Sequence, residues 1–163
     1  MTTLKEIQGK IIPRQDLSSL VAGINTQKQK IVFSNGCFDL VHRGHIEYLA
    51  KASDLADVFI LGLNTDYSVQ RLKGSSRPLQ DEDARAILMA SLSFIDYVVL
   101  FDEDTPLELI AEIQPDVLVK GNDYKIEDVV GYDIVQKKGG IVQTIELTEG
   151  YSTSRIVDKI KNT

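Results

Sequence analysis

Six consecutive positions, Val58-Phe59-Ile60-Leu61-Gly62-Leu63, carry no polar side chain. A strand with one face in water alternates apolar and polar residues, and this run does not. It must be covered on both faces. Short runs of similar character stand at Ile31-Val32-Phe33, Tyr97-Val98-Val99-Leu100, Val117-Leu118-Val119 and Ile141-Val142-Gln143-Thr144-Ile145. Between them lie stretches whose apolar residues recur at helical spacing, such as Ile46, Leu49 and Ala50, or Leu107, Leu109, Ile110 and Ile113. Strands and helices in alternation make a parallel sheet covered by helices. The expectation is a Rossmann-like, doubly wound, five-stranded parallel sheet in three αβα layers. Helices are expected at 44–55, about 81–92, from Pro106, near 128–138 up to Gly139-Gly140, and finally to about Lys161. The 163 residues suffice for one domain. Residues 1–29 read as a helical approach segment packed on it, with Pro13 starting a helix and Leu17, Leu20, Val21 and Ile24 as its stripe; residues 30–163 read as the domain proper.

In an open parallel sheet, ligands bind outside the carboxyl ends of the strands. The polar groups of this chain gather at those ends. After the first strand comes Asn35-Gly36-Cys37-Phe38-Asp39, then His42-Arg43-Gly44-His45 opening a helix. A strand, a tight turn and a helix N-terminus leave backbone N–H groups unpartnered, and such a place binds phosphate. The two imidazoles, three positions apart, lie on one side of the first helical turn and can reach the same oxyanion. Gly44 lets a phosphate chain approach closely. The basic stretch Gln70-Arg71-Leu72-Lys73-Gly74-Ser75-Ser76-Arg77-Pro78 reads as a loop. Its cations are either a solvated patch or a flap closing over polyphosphate, and Arg85 on the next helix can reach the same region. Lys120 and Gly121 end the fourth strand. Asp123 either orients a ligand hydroxyl or caps its turn. Ser152, Thr153 and Ser154 cap the last helix, a role compatible with phosphate binding.

The formal charge of -6 argues against a general nucleic-acid binder, but not against a small phosphorylated ligand held by a local cluster of cations. Cys37 is the only cysteine, so neither an intramolecular disulfide nor a cysteine-rich metal site can form, and packing is the role expected of it. Two histidines alone leave a zinc site short of ligands. No dedicated metal site is read; Mg²⁺ is expected to arrive bound to phosphates. No apolar stretch approaches membrane-spanning length and no signal peptide is read, so no membrane partner is expected and a cytoplasmic protein is the default. Neither G-x-G-x-x-G nor G-x-x-x-x-G-K-[ST] is present, so the phosphate cradle is the H-x-G-H turn.

The pieces SNGCFDLVHRGH (34–45), RLKGSSRP (71–78), FDEDTP (101–106), PDVLVKGNDY (115–124), GG (139–140) and TEGYSTSRI (148–156) together resemble the H-x-G-H nucleotidyltransferase superfamily. Within it they are most similar to heptose 1-phosphate adenylyltransferases. The resemblance runs from about residue 30 to residue 156 and beyond, in order. It implies adenylyl transfer from ATP to D-glycero-D-manno-heptose 1-phosphate, giving ADP-heptose for envelope glycan synthesis. It places His42, His45 and Lys73 in catalysis. Asn35, Gly36, Cys37, Phe38, Asp39, Gly44, Arg85, Gly150, Ser152, Thr153 and Ser154 are then placed around the nucleotide and its phosphates, with Lys120, Gly121 and Asp123 lining the shared cleft. Asn122 stands where relatives commonly have a second glycine, which adds a side chain near the ligand. Many relatives carry a fused sugar kinase, so a separate kinase is expected to supply the sugar phosphate here. A homodimer is also implied. The alternatives are cytidylyl transfer to glycerol 3-phosphate or a similar polyol phosphate, and a non-catalytic nucleotide-binding domain.

Overall fold

The computed structural model describes residues 3–121 and 125–163. The five expected strands form one sheet: β1 Ile31–Gly36, β2 Val58–Asn64, β3 Tyr97–Phe101, β4 Val117–Gly121 and β5 Ile141–Ile145. Their order is β3-β2-β1-β4-β5, and every pairing is parallel. Register is set at the buried ends, with Ile31 opposite Val58 and Val32 opposite Val117. The chain winds outward from β1 to β3, then crosses back to lay β4 on the other side of β1. The order therefore switches between β1 and β4, and a crevice opens at their carboxyl ends.

The two-sided apolarity of the strands is used in full. Ile31, Phe33, Val58 and Ile60 face α2 (Leu17–Thr26), α6 (Leu107–Ile113) and α7 (Tyr132–Lys138). Val32, Phe59, Leu61 and Leu63, one residue out of phase, face α3 (Arg43–Ser53) and α5 (Glu82–Ala90), with Ile7 of α1 (Thr3–Gly9) packed beyond. The three-layer αβα architecture follows from that period of two.

Three stretches depart from the expectation. Residues 66–73 form a helix, α4 (Asp66–Lys73), where a loop was expected from Gln70. Thr65 caps it by accepting from the Ser68 amide at 3.2 Å, Asp66 sits in its first turn and Arg71 and Lys73 in its last, each matched to the helix dipole. The loop begins only at Gly74. The helix expected near 128–138 is split: a 3-10 turn at Ile126–Asp128 precedes α7, because Gly131 turns left-handed (φ 90) and a Cβ there would lie 2.8 Å from Ile110. At the N-terminus, Pro13 leads into a 3-10 turn (Arg14–Asp16) before α2. Ahead of it, Ile12 N–H donates to Val98 O and Val98 N–H to Lys10 O, both at 2.9 Å, which closes the outer edge of β3. Lys10 Nζ donates to Leu92 O (3.2 Å) and Ile95 O (2.7 Å). The last helix, α8 (Thr153–Lys161), ends where expected.

Candidate active site

The crevice is bridged at its floor. Asn35 lies on β1 and Lys120 on β4, and Lys120 Nζ donates to Asn35 Oδ1. Above this pair the chain leaves β1 through a turn built on Phe38, whose backbone is left-handed (φ 44). The Phe38 ring folds back so far that a Cβ on Gly36 would stand 2.9 Å from it; glycine is required there. The same ring meets His45 edge-on, with centroids 5.3 Å apart.

His42 is the N-cap of α3 and His45 its third residue, and their rings stack at 3.8 Å with 23° between planes. The His42 amide donates to His45 Nδ1 at 3.3 Å, so the neutral His45 ring carries its proton on Nε2. Burial, His42 and Lys73 together push the His45 pKa down to about 4, and burial lowers that of His42. At neutral pH both rings are therefore uncharged N–H donors. A Cβ on Gly44 would lie 3.1 Å from the His42 ring and 3.3 Å from Tyr151 Cβ, so the glycine admits both groups beside the helix start. Tyr48, one turn past His45, ties α3 to the sheet: its hydroxyl meets Ser34 Oγ at 2.8 Å and donates to Val119 O at 3.1 Å.

Two adjoining cavities occupy the crevice. One, about 260 Å³, runs from Asn35 and Cys37 past Arg77 to Lys120 and Gly121. The other, about 300 Å³, lies between the H-x-G-H turn and Thr148, Tyr151 and Ser152. His45, Tyr48, Lys73, Leu147 and Thr153 border both. Lys73 thus stands at the junction, on the last turn of α4. Among the described residues, no group of three or more His, Cys, Asp or Glu is placed to hold a metal.

Several of the expected ligand residues are held by hydrogen bonds within the frame of the crevice. Asp39 borders the first cavity but is only 2% exposed. It accepts from Arg77 Nε (2.6 Å) and from the amides of Leu79 (2.9 Å) and Gln80 (3.0 Å), clasping the loop after α4. Burial works to raise its pKa, but those two amides and the Arg77 guanidinium outweigh it and hold the carboxyl below the usual range. Arg85 is 0% exposed, and its guanidinium donates to Gln80 O, Cys37 O, Asn64 O and Asp66 Oδ1 at 2.7–3.0 Å. It braces the turn from behind and does not border either cavity. Cys37 Sγ contacts Asn64 Oδ1 at 3.8 Å, and burial pushes its pKa up, so the thiol stays protonated. Ser152 borders the second cavity and caps α8 by accepting from the Arg155 amide at 3.2 Å. Ser154 is exposed and borders neither cavity, and Gly150 lies on a separate surface depression beside Arg155. Asn122 and Asp123 lie outside the described residues.

Tyr48, Leu147, Thr148 and Tyr151 are the bordering residues that the sequence reading did not single out, whereas Arg77 belonged to the basic stretch read as a patch or flap. Tyr48 carried a signal, since it lies three positions beyond His45 and so on the same helical side. Tyr151 carried one too, as the lone ring in a polar stretch.

A family model described as cytidylyltransferase-like matches residues 33–159. "Bifunctional protein HldE" of Citrifermentans bemidjiense is 53% identical over 156 residues, covering 96% of this chain and 32% of that protein. The protein of the same name from Campylobacter jejuni subsp. jejuni serotype O:2 is 54% identical over 157 residues, with the same coverage. The chain spans about a third (32%) of the length of these curated relatives. Among solved structures, the lipopolysaccharide core biosynthesis protein from Thermoplasma volcanium GSS1 is 28% identical with a TM-score of 0.61, covering 76% of this chain and 99% of that one. Pantoate-beta-alanine ligase from Francisella tularensis, 16% identical with a TM-score of 0.61 over 94% of this chain and 78% of that one, shares the fold. With a model match that starts in β1 and ends in α8, and with half or more of the residues shared with such relatives, the chain belongs to the cytidylyltransferase-like family of nucleotidyltransferases.

Proposed function

We propose that the chain transfers the adenylyl group of ATP to D-glycero-D-manno-heptose 1-phosphate, forming ADP-heptose and pyrophosphate. The observation that carries this reading is the stacked, uncharged imidazole pair at the N-terminus of α3, with Lys73 across the cleft. That is a cradle for a phosphorus centre gaining negative charge. The identity to HldE proteins supports the sugar substrate.

A phosphate oxygen of the sugar phosphate attacks the α-phosphorus of ATP in line. The bond from that phosphorus to the bridging oxygen breaks, and pyrophosphate leaves with the electron pair. No protein nucleophile is required, in keeping with the protonated state of Cys37. His45 Nε2–H and the His42 ring donate to the α-phosphate oxygens, and Gly44 leaves the helix amides open to them. Lys73, at the junction of the cavities, offsets charge on the phosphates as it moves from acceptor to leaving group. Ser152 and Thr153 face the same space from α8, and Lys120 faces it from the floor. Mg²⁺ bound to the phosphates of ATP would neutralise their charge, and a cleft bordered by Lys73, Arg77, Lys120 and the imidazoles would leave such a metal to phosphate oxygens. A sugar kinase activity supplies the acceptor, the reaction takes place in the cytoplasm, and a homodimer is the assembly we assign.

The test is pyrophosphate release by the purified chain with Mg²⁺, crossing ATP and CTP with both anomers of heptose 1-phosphate and with glycerol 3-phosphate. Release with ATP and one heptose 1-phosphate anomer is the expected outcome. Release only with CTP and glycerol 3-phosphate would overturn the substrate assignment, and nucleotide binding without any release would overturn the activity.

A further inference from the structure

The cations of the basic stretch 71–77 have different duties, and one of them has donors to spare. Arg71 is spent within the frame: its guanidinium donates to Asp104 Oδ1 at 2.8 Å and to the Asp102 carbonyl, and lies 3.6 Å from the Asp102 carboxylate. Arg77 is used differently. Its amide donates to Gly74 O at 3.1 Å, and this turn brings the residue back to the wall of the first cavity, which Lys73 and Lys120 also border. Its Nε donates to Asp39 Oδ2 at 2.6 Å. The terminal edge of the fork, Nη1 and Nη2, has no partner among the described residues, and Nη2 is buried. The side chain is only 18% exposed, so water reaches little of this charge.

Asp39 borders the same cavity, but its charge is already taken up. The carboxylate is 1% exposed and accepts from Arg77 and from the Leu79 and Gln80 amides. It therefore fixes the guanidinium through Nε and leaves the fork edge to a ligand. That edge has the spacing of two phosphate oxygens, which a guanidinium binds in parallel.

We propose that Arg77 binds the pyrophosphoryl end of the nucleotide, with its Nη1–Nη2 edge on β- and γ-phosphate oxygens and Asp39 as its positioning residue. The inference rests on the adenylyl-transfer reading above for the identity of the ligand. Lys73 and Arg77 flank the turn opened by Gly74, so one short segment presents two cations to two linked phosphoryl groups. Charge on those groups grows as the bond to the α-phosphorus breaks. A guanidinium already held by Asp39 meets it without reorganisation.

Calorimetric titration of inorganic pyrophosphate and of AMP, each with Mg²⁺, into the native chain, Arg77→Met and Arg77→Lys tests the contact. AMP carries the base and the α-phosphate but not the β- and γ-phosphates, so it reports any general change in the cleft. The expected result is a Kd for pyrophosphate raised about tenfold or more in Arg77→Met, the loss of a hydrogen bond between charged groups, with Kd for AMP unmoved. Arg77→Lys keeps the charge and the pairing with Asp39 but has no fork, and recovers part of the loss. It reads the fork even where Arg77→Met does not fold. In steady state, KM for ATP should rise in both variants while KM for heptose 1-phosphate stays. Unchanged pyrophosphate affinity in both variants, an equal loss for pyrophosphate and AMP, or a rise confined to KM for heptose 1-phosphate would overturn the assignment. Pyrophosphate binding that depends on Arg77, in a chain that releases no pyrophosphate from ATP, would uphold the contact and overturn the transfer.

Discussion

At the scale of single residues, the cradle depends on how two neutral rings are held. His45 is locked by the His42 amide on one nitrogen and by Phe38 on its edge, which aims the other nitrogen into the cavities. Replacing either histidine by asparagine is expected to lower kcat about 100-fold or more, the cost of an oxyanion donor, with an unchanged circular dichroism spectrum. Gly44→Ala should act indirectly. Its methyl would press on the His42 ring at 3.1 Å, and a shift of a few tenths of an ångström should cost about tenfold in turnover. Proton linkage provides a separate check on burial. The His45 pKa falls from 6.5 to about 4 on folding, so between those values the unfolded chain binds more protons. The contribution of neutral His45 to stability is complete above about pH 6.5 and is lost as pH falls toward 4. Thermal melts at pH 7 and pH 5 should show a smaller drop for His45→Gln than for the native chain.

At the scale of elements, two ties shape the cleft without entering the chemistry. The 147–152 segment is strapped to α3: Thr148 Oγ1 donates to Glu47 Oε2, and Arg43 donates to Glu47 Oε1 at 2.6 Å and to the Tyr151 hydroxyl at 3.3 Å. The Arg43 guanidinium also lies 5.5 Å from the Tyr151 ring centroid. Arg43 and Tyr151 are exposed and Glu47 and Thr148 only half-buried, so the strap adds little to overall stability but sets the wall of the second cavity. Glu47→Ala is expected to raise KM for ATP about threefold with the melting temperature nearly unchanged. The Asp39 clasp is the reverse case. Its carboxylate is buried, and Asp39→Ala strands the Arg77 guanidinium and the Leu79 and Gln80 amides. A loss of about 3 kcal/mol in denaturant unfolding is expected, together with weaker ATP binding as the loop after Lys73 loosens.

At the scale of the molecule, the N-terminal segment belongs to the sheet's architecture. Residues 10–12 satisfy the outer edge of β3, which would otherwise present open backbone groups beside Val98. We propose that residues 3–163 unfold as one cooperative unit. Deleting residues 1–13 should lower the melting temperature and promote association through the bared edge, read by calorimetry and light scattering. Strand positions, two-sided burial and the gathering of Asn35, His42, His45, Lys73 and Lys120 at the carboxyl ends followed from the sequence alone, because apolar periodicity and strand-to-helix turns are local properties. The helical state of residues 66–73 did not, since its basic residues and the Gly74 that follows them read as a loop while the buried Val69 and the Thr65 cap decide otherwise. Nor did the internal roles of Asp39 and Arg85. A carboxylate or guanidinium in a site motif reads as a ligand contact, and only the folded chain reveals whether backbone amides and carbonyls from distant segments already occupy it. Sequence alone determined which residues line the sheet and where its ligand-binding end lies. Tertiary structure decided which charges face the ligand and which brace the frame, because burial and hydrogen-bond partners are set by segments some 40 or more residues apart.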